Sequence, residues 1–432
     1  MRNIIPAVIS LLFICPGNYI SAQGIDQIIN PQTVEGIEKV LAGDAMRGRA
    51  SFTPDIERAA DFVEAQFKAA GLQTWNNSDS YRQPFSMIEA KTISASGNLD
   101  GTPVQDGLVV VSSSDPHLSF NEQSGYEKAF IKAGDNLGSM MVKYLGQHDR
   151  NLLVLVDTIF AKRAGRMAQF MSTQFKSPFS VVFVFTTINP AHYSIKAEQD
   201  IKESKLANVV GILPGKSRKN EYVIFSGHYD HLGVGKPDSK GDSIYNGAND
   251  DASGTTAVIM LARYFGKLKS NERTIIFAAF TAEEIGEFGS QYFATQFDPA
   301  AVKAMFNIEM IGTESKWGVN SAYITGYDRT DMGKILERNL TGSAFTFHPD
   351  PYPDQELFYR SDNASLAKKG VPAHTISTSK MDSEKYYHQL GDEIGTLDMN
   401  NMARIIQSIA ISSRTIIAGT DTPSRVDTSQ LR

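Results

Sequence analysis

Thr274-Ile275-Ile276-Phe277-Ala278-Ala279-Phe280, followed at once by Thr281-Ala282-Glu283-Glu284, is the stretch that decides the fold. Seven residues without a charge or a turn former, rich in β-branched and aromatic side chains, predict a strand covered on both faces. Such a strand belongs to a sheet with helices on either side. Just upstream, Gly254–Leu268 places Ala257, Met260, Leu261, Tyr264 and Leu268 on one helical face. Further upstream, Tyr222–Phe225 and Val209–Leu213 are apolar runs of strand length. Strand, helix and strand in that order make a parallel crossover. Downstream, strands are expected at Ala304–Ile308, Ala322–Thr325 and Ala373–Ser377, with a helix near Asp331–Leu340. Asp398 can cap a closing helix striped by Met402, Ile405, Ile406 and Ile409. Near the start, Thr53 and Pro54 open a helix that Gly71 ends, with Ile56, Ala60, Val63 and Phe67 on one face. The fold class predicted is α/β, a mixed and mostly parallel sheet flanked by helices.

The remaining text sets the boundaries. Arg2, the apolar run Ile4–Cys15 and the small residues Ser21 and Ala22 form an export signal over 1–22, which places the mature chain in the periplasm or outside the cell. Ile14 stands where a lipid-anchored cysteine would follow a small residue, which argues against anchoring at Cys15. Cys15 is the only cysteine, so residues 23–432 have neither a disulfide nor a thiol nucleophile. No later run is long and apolar enough to span a membrane. A net charge of −6 without a basic stripe argues against a nucleic-acid partner. There is no internal repeat. Residues 23–74 read as the helical start of the main domain and 75–204 as an inserted accessory or lid subdomain. The latter holds short β-like runs at Leu108–Val111, Leu152–Val156 and Val181–Phe185. Residues 205–420 are the α/β core and 421–432 a tail.

Ligands of open α/β sheets bind beyond the carboxyl ends of the strands. After Tyr222–Phe225 comes Ser226-Gly227-His228-Tyr229-Asp230-His231. Ahead of the next helix comes Asn249-Asp250-Asp251-Ala252-Ser253-Gly254. Glu283 and Glu284 close the 274–280 strand. Asn307-Ile308-Glu309-Met310-Ile311-Gly312 ends the following one, and Tyr386-Tyr387-His388 comes later. Five segments offer imidazole or carboxylate at one predicted sheet edge. Mixed nitrogen and oxygen donors suit zinc. Two ions need one bridging carboxylate and about two further ligands each, a count that five residues meet.

These motifs, in this order, resemble peptidase family M28, the zinc aminopeptidases, over 205–415 and the N-terminal helix. The resemblance implies a phosphorylase/hydrolase-like zinc exopeptidase fold, two Zn²⁺ ions and peptide substrates cleaved at their N-terminal bond. By motif position, His228 and Glu309 would hold one ion, Glu284 and His388 the other, and Asp250 would bridge. Glu283 would be the general base. Its position next to a ligand just past a strand end suits that role, because one carboxylate can bind metal while its neighbour takes a proton. Asp230 would orient the His228 imidazole from behind. Ser253 and Gly254 would open a helix that steadies Asp250. Two departures from the family stand out. Glu309 occupies a position usually filled by Asp, and Asn363 follows Arg360-Ser361-Asp362 where His is usual, in a substrate-side loop.

The other histidines read as structural: His117, His148 and His192 in the variable region, His348 in a loop, His374 in a strand, and His231 as a pocket wall. Asp251 reads as a turn residue and Asp392 as a contact behind His388. Two related activities compete with N-terminal hydrolysis. A glutaminyl cyclase would use one zinc, which Glu309 makes conceivable. A carboxypeptidase would need a basic anchor such as Arg360. A decayed binding module would have no reason to keep Glu283.

Overall fold

The computed structural model describes residues 24–146 and 149–431; the export signal expected over 1–22, Cys15 and His148 lie outside them. Apolar runs become the strands of one large sheet. The principal ones are β1 (Arg82–Leu99), β2 (Tyr193–Leu213), β3 (Arg218–His228), β4 (Arg273–Phe280), β5 (Val302–Ile308), β6 (Ser321–Ile324), β7 (Thr346–Pro349) and β8 (Ala373–Ser377). They lie in the order β7-β6-β8-β5-β3-β4-β2-β1. The centre is parallel: β3 pairs with β4 and β5, and β5 with β8. β2 is antiparallel to β4, and β6 to β8. Every residue of β4 is buried, as its uninterrupted apolar text requires.

Helices cover both faces. α1 (Pro31–Leu41), α2 (Pro54–Ala69), α3 (Ser253–Leu268), α4 (Met332–Leu340) and α5 (Met399–Ser412) pack on one face. There Phe225 on β3 lies between Phe277 and Phe306 of its neighbours, with ring centroids 5.8 and 5.0 Å away. On the other face Ile224, Ile276 and Met305 meet Phe293 and Leu366. Among the described residues no helix is long and apolar enough to cross a membrane.

The middle third differs from the expectation of short strands set between loops and one or two helical stretches. β1 has 18 residues and β2 has 21, and they pair along most of their length. β2 runs across the expected boundary at 204. Its core end, Leu206–Leu213, is buried on both faces, its middle is largely exposed, and its outer end alternates buried Tyr193, Ile195 and Ala197 with exposed neighbours. The polar middle hides the strand from a reading based on apolar runs. The outer arm packs on a second sheet formed by Val109–Ser112, Val181–Phe185, Leu152–Val156 and Glu127–Ile131. Helices Leu137–Leu145 and Ala164–Phe170 cover that sheet's other side. His348 is in β7 and not in a loop, stacked on Trp317 at 4.0 Å.

Candidate metal centre

Strand register brings the chemistry together. His228 ends β3 level with Phe280 of β4, and Ser226 is level with Asn307 of β5. Glu283 and Glu284 therefore lie just beyond the same rim, and Glu309, two residues past Asn307, stands beside His228. Asp250 arrives on the turn before α3, and His388 on the loop after β8.

The five expected ligands and Glu283 meet there. His228 Nε2 is 3.2 Å from Asp250 Oδ1. His388 Nε2 is 3.3 Å from Asp250 Oδ2 and 3.1 Å from Glu284 Oε2. His228, Glu283 and Glu309 form a second group able to hold a metal, beside His228, Asp250 and Glu284. Glu283 Oε2 is 3.9 Å from His228 Nε2.

The arrangement passes a simple test of fit. Zinc ligands about 2.0–2.1 Å from a tetrahedral ion lie about 3.3 Å from one another, which matches the imidazole–carboxylate spacings above. His228 Nδ1 donates to the Asp230 carbonyl oxygen at 3.1 Å, so its Nε2 lone pair faces Asp250. His228 Nε2, Asp250 Oδ2 and Glu309 Oε2 are buried without a hydrogen-bond partner. Such atoms are costly unless something else binds them. Among the described residues no lysine or arginine forms a salt bridge with Asp250, Glu283, Glu284 or Glu309.

The electrostatics follow. Burial pushes the Glu309 carboxyl up to about 7, and raises Glu283 well above the usual carboxylate range. Burial would raise Asp250 too, but the close imidazoles of His228 and His388 overcome it and hold Asp250 far below the usual value. The adjacent Asp250 and Glu284 carboxylates lift His388 to about 10. A cluster this rich in carboxylate calls for positive charge.

An outer layer fixes these groups. Asp251 is no mere turn residue: it is fully buried and accepts from the backbone N–H groups of His228, Gly254 and Met310 at 3.2, 3.0 and 3.1 Å, tying three ligand-bearing segments together. The Asp392 carboxylate accepts from the N–H groups of Asn249 and Asp250 at 2.8 and 3.0 Å, so it braces Asp250 and not His388. Asp230 meets the imidazole through its backbone carbonyl, while its carboxylate accepts from the Glu283 N–H at 3.2 Å and the Ser51 hydroxyl at 3.1 Å. His231 Nδ1 lies 2.6 Å from Glu284 Oε1, steadying the oxygen turned away from His388. Asn363 is buried in the interior, donating to the carbonyls of Phe358 and Ala373, and does not line a substrate loop.

Arg49 was not legible in the sequence. It is fully buried, and its guanidinium donates to the carbonyls of Leu41, Tyr229, Asn246 and Gly247. It thus grips the two segments that present His228 and Asp250. Nothing around it marked an isolated arginine in Met46-Arg47-Gly48-Arg49 for that task. Beside the centre opens a small cavity bordered by Glu309, Met310, Tyr323, Leu357, Arg360 and Tyr387.

Fold and centre together define an α/β protein whose strand ends gather an imidazole–carboxylate cluster able to hold metal. Residues 208–412 match the model of peptidase family M28. It is 38% identical over 117 residues to a probable zinc metalloprotease of Pyrenophora teres f. teres, covering 27% of this chain and 24% of that one. It is 28% identical over 207 residues to leucine aminopeptidase 1 of Emericella nidulans, covering 45% and 51%. The chain thus spans about a quarter to a half of the curated relatives it matches. The aminopeptidase of Aneurinibacillus sp. strain AM-1 shares the fold with a TM-score of 0.55 at 16% identity, over 95% of this chain and 99% of that one. A zinc aminopeptidase of Bacillus subtilis shares it at 0.51 and 15%, over 92% and 98%.

Proposed function

We propose that the chain is an exported zinc exopeptidase that hydrolyses the N-terminal bond of peptides. The observation that carries this reading is the two-sided placement of Asp250 between His228 and His388. His228 and Glu309 would hold one ion, Glu284 and His388 the other, and Asp250 both. A bound zinc pair supplies Lewis acidity at the scissile carbonyl and lowers the pKa of water. Glu283, held by its N–H to Asp230, takes the proton of the attacking water and returns it to the leaving amine, so one water is added across the bond. The outer carboxylates Asp251 and Asp392 keep the ligand segments in register while this happens. The rim's burial, with only His388 about one-third exposed, limits competing solvent.

The test is hydrolysis of a panel of aminoacyl-p-nitroanilides by the purified chain, with and without chelator, alongside a metal count. Chelator-sensitive release with about two zinc ions per chain supports the reading. One ion per chain with pyroglutamate formation would show a cyclase instead. Release from the other peptide end would show a carboxypeptidase.

A further inference from the structure

The cavity beside the centre has a feature that peptide hydrolysis as such does not need. Its inner wall is Glu309 and Met310, which directly follow β5, so a group seated in it is attached to whatever reacts at the centre. Leu357 and Met381 offer apolar contact for methylenes. Arg360 is the only lysine or arginine in the lining, and it is exposed at the margin. A guanidinium has five N–H donors in a fixed fork that matches a carboxylate. Arg360 gives one of them to a neutral acceptor, Gln355 Oε1, at 3.3 Å. Tyr387, the neighbour of His388, borders the same cavity as Arg360.

We infer that Arg360 makes this pocket select peptides whose N-terminal residue carries a carboxylate side chain, aspartate or glutamate. The inference rests on the aminopeptidase reading above. A glutamate side chain packs its methylenes on Leu357 and Met381 and places its carboxylate against the Arg360 fork. An isosteric glutamine keeps the packing and loses the charge-assisted pair. Because Arg360 is exposed, solvent and salt weaken that pair and the selectivity is moderate.

The experiment compares kcat/KM of the zinc-loaded chain on Glu-, Gln-, Asp-, Asn- and Leu-p-nitroanilide. Glu is expected to exceed Gln by about ten-fold, with the ratio shrinking in high salt. In Arg360→Gln the Glu/Gln ratio falls to about one, and Arg360→Lys restores part of it. A wild-type ratio at or below one, or a ratio unmoved by Arg360→Gln, overturns the inference while leaving the peptidase reading intact. A parallel comparison of Leu-Gly with Leu-Gly-amide asks whether the guanidinium serves a terminal carboxylate. If Arg360→Gln penalises only Leu-Gly, the side-chain assignment is overturned. No hydrolysis of any nitroanilide removes the aminopeptidase reading itself, and this inference with it.

Discussion

Asp250 presents one carboxylate oxygen to His228 and the other to His388, at 3.2 and 3.3 Å. In the proposed centre a single carboxylate between two imidazoles would be shared by both ions. Asp250→Ala should therefore lose both ions, whereas His388→Ala should keep about one. Elemental analysis of dialysed protein, with circular dichroism to confirm folding, measures this directly. Retention of two ions by folded Asp250→Ala would sink the bridging role.

Glu283 stands among the proposed ligands, its Oε2 3.9 Å from His228 Nε2. As a proton carrier it acts on rate and not on metal retention. Glu283→Gln should lower kcat by about 10²–10⁴-fold while its zinc content stays that of the wild type. If zinc content falls in step with activity, Glu283 is a ligand and the division of labour between the paired glutamates is reversed.

How much of this was legible follows from which physics acts locally. Strands such as β4 and helices such as α3 carry their own burial pattern, so their text announces them. The segments proposed to bear ligands were readable because they lie past strand ends or ahead of a helix at one sheet edge, where side chains are free to serve chemistry. The brace around them was not. Asp251 looks like an ordinary turn residue, yet its oxygens bind amides 23 and 59 residues away in sequence. The long strand across 204 was hidden for a related reason: the partners that pair with the exposed polar middle of β2 lie on β1, more than a hundred residues upstream. Asn363 was assigned to a substrate loop from its position alone, whereas its amide belongs to the hydrogen bonding beneath β8.

Arg49 tests the brace. Its guanidinium satisfies four backbone carbonyls in a fully buried place, two of them, Asn246 and Gly247, on the segment leading to Asp250. Removing it leaves those acceptors unpaired and Glu38 without its neighbouring cation. Arg49→Met should cost about 3 kcal/mol of stability and weaken zinc binding in competition with a chromogenic chelator. Arg49→Lys, which can reach fewer of the carbonyls, should fall between the two. Wild-type zinc affinity in folded Arg49→Met would show that the arginine holds only the fold.

His374 gives the chain a pH dependence separate from the metal centre. It is fully buried on β8, with Nδ1 donating to the Thr325 carbonyl at 2.8 Å and Nε2 accepting from the Thr330 hydroxyl at 2.8 Å. Both contacts use the neutral ring, and burial pushes its pKa down from 6.5 to about 4. In the unfolded chain the ring titrates near its ordinary value, so acid protonates the unfolded state first. The stabilising contribution is complete above about pH 6.5 and is lost as pH falls toward 4, by up to about 3 kcal/mol. Urea unfolding at a series of pH values between 7 and 4 should show this fall, and His374→Gln should flatten it. Equal slopes for wild type and variant would mean that His374 binds its proton as readily folded as unfolded.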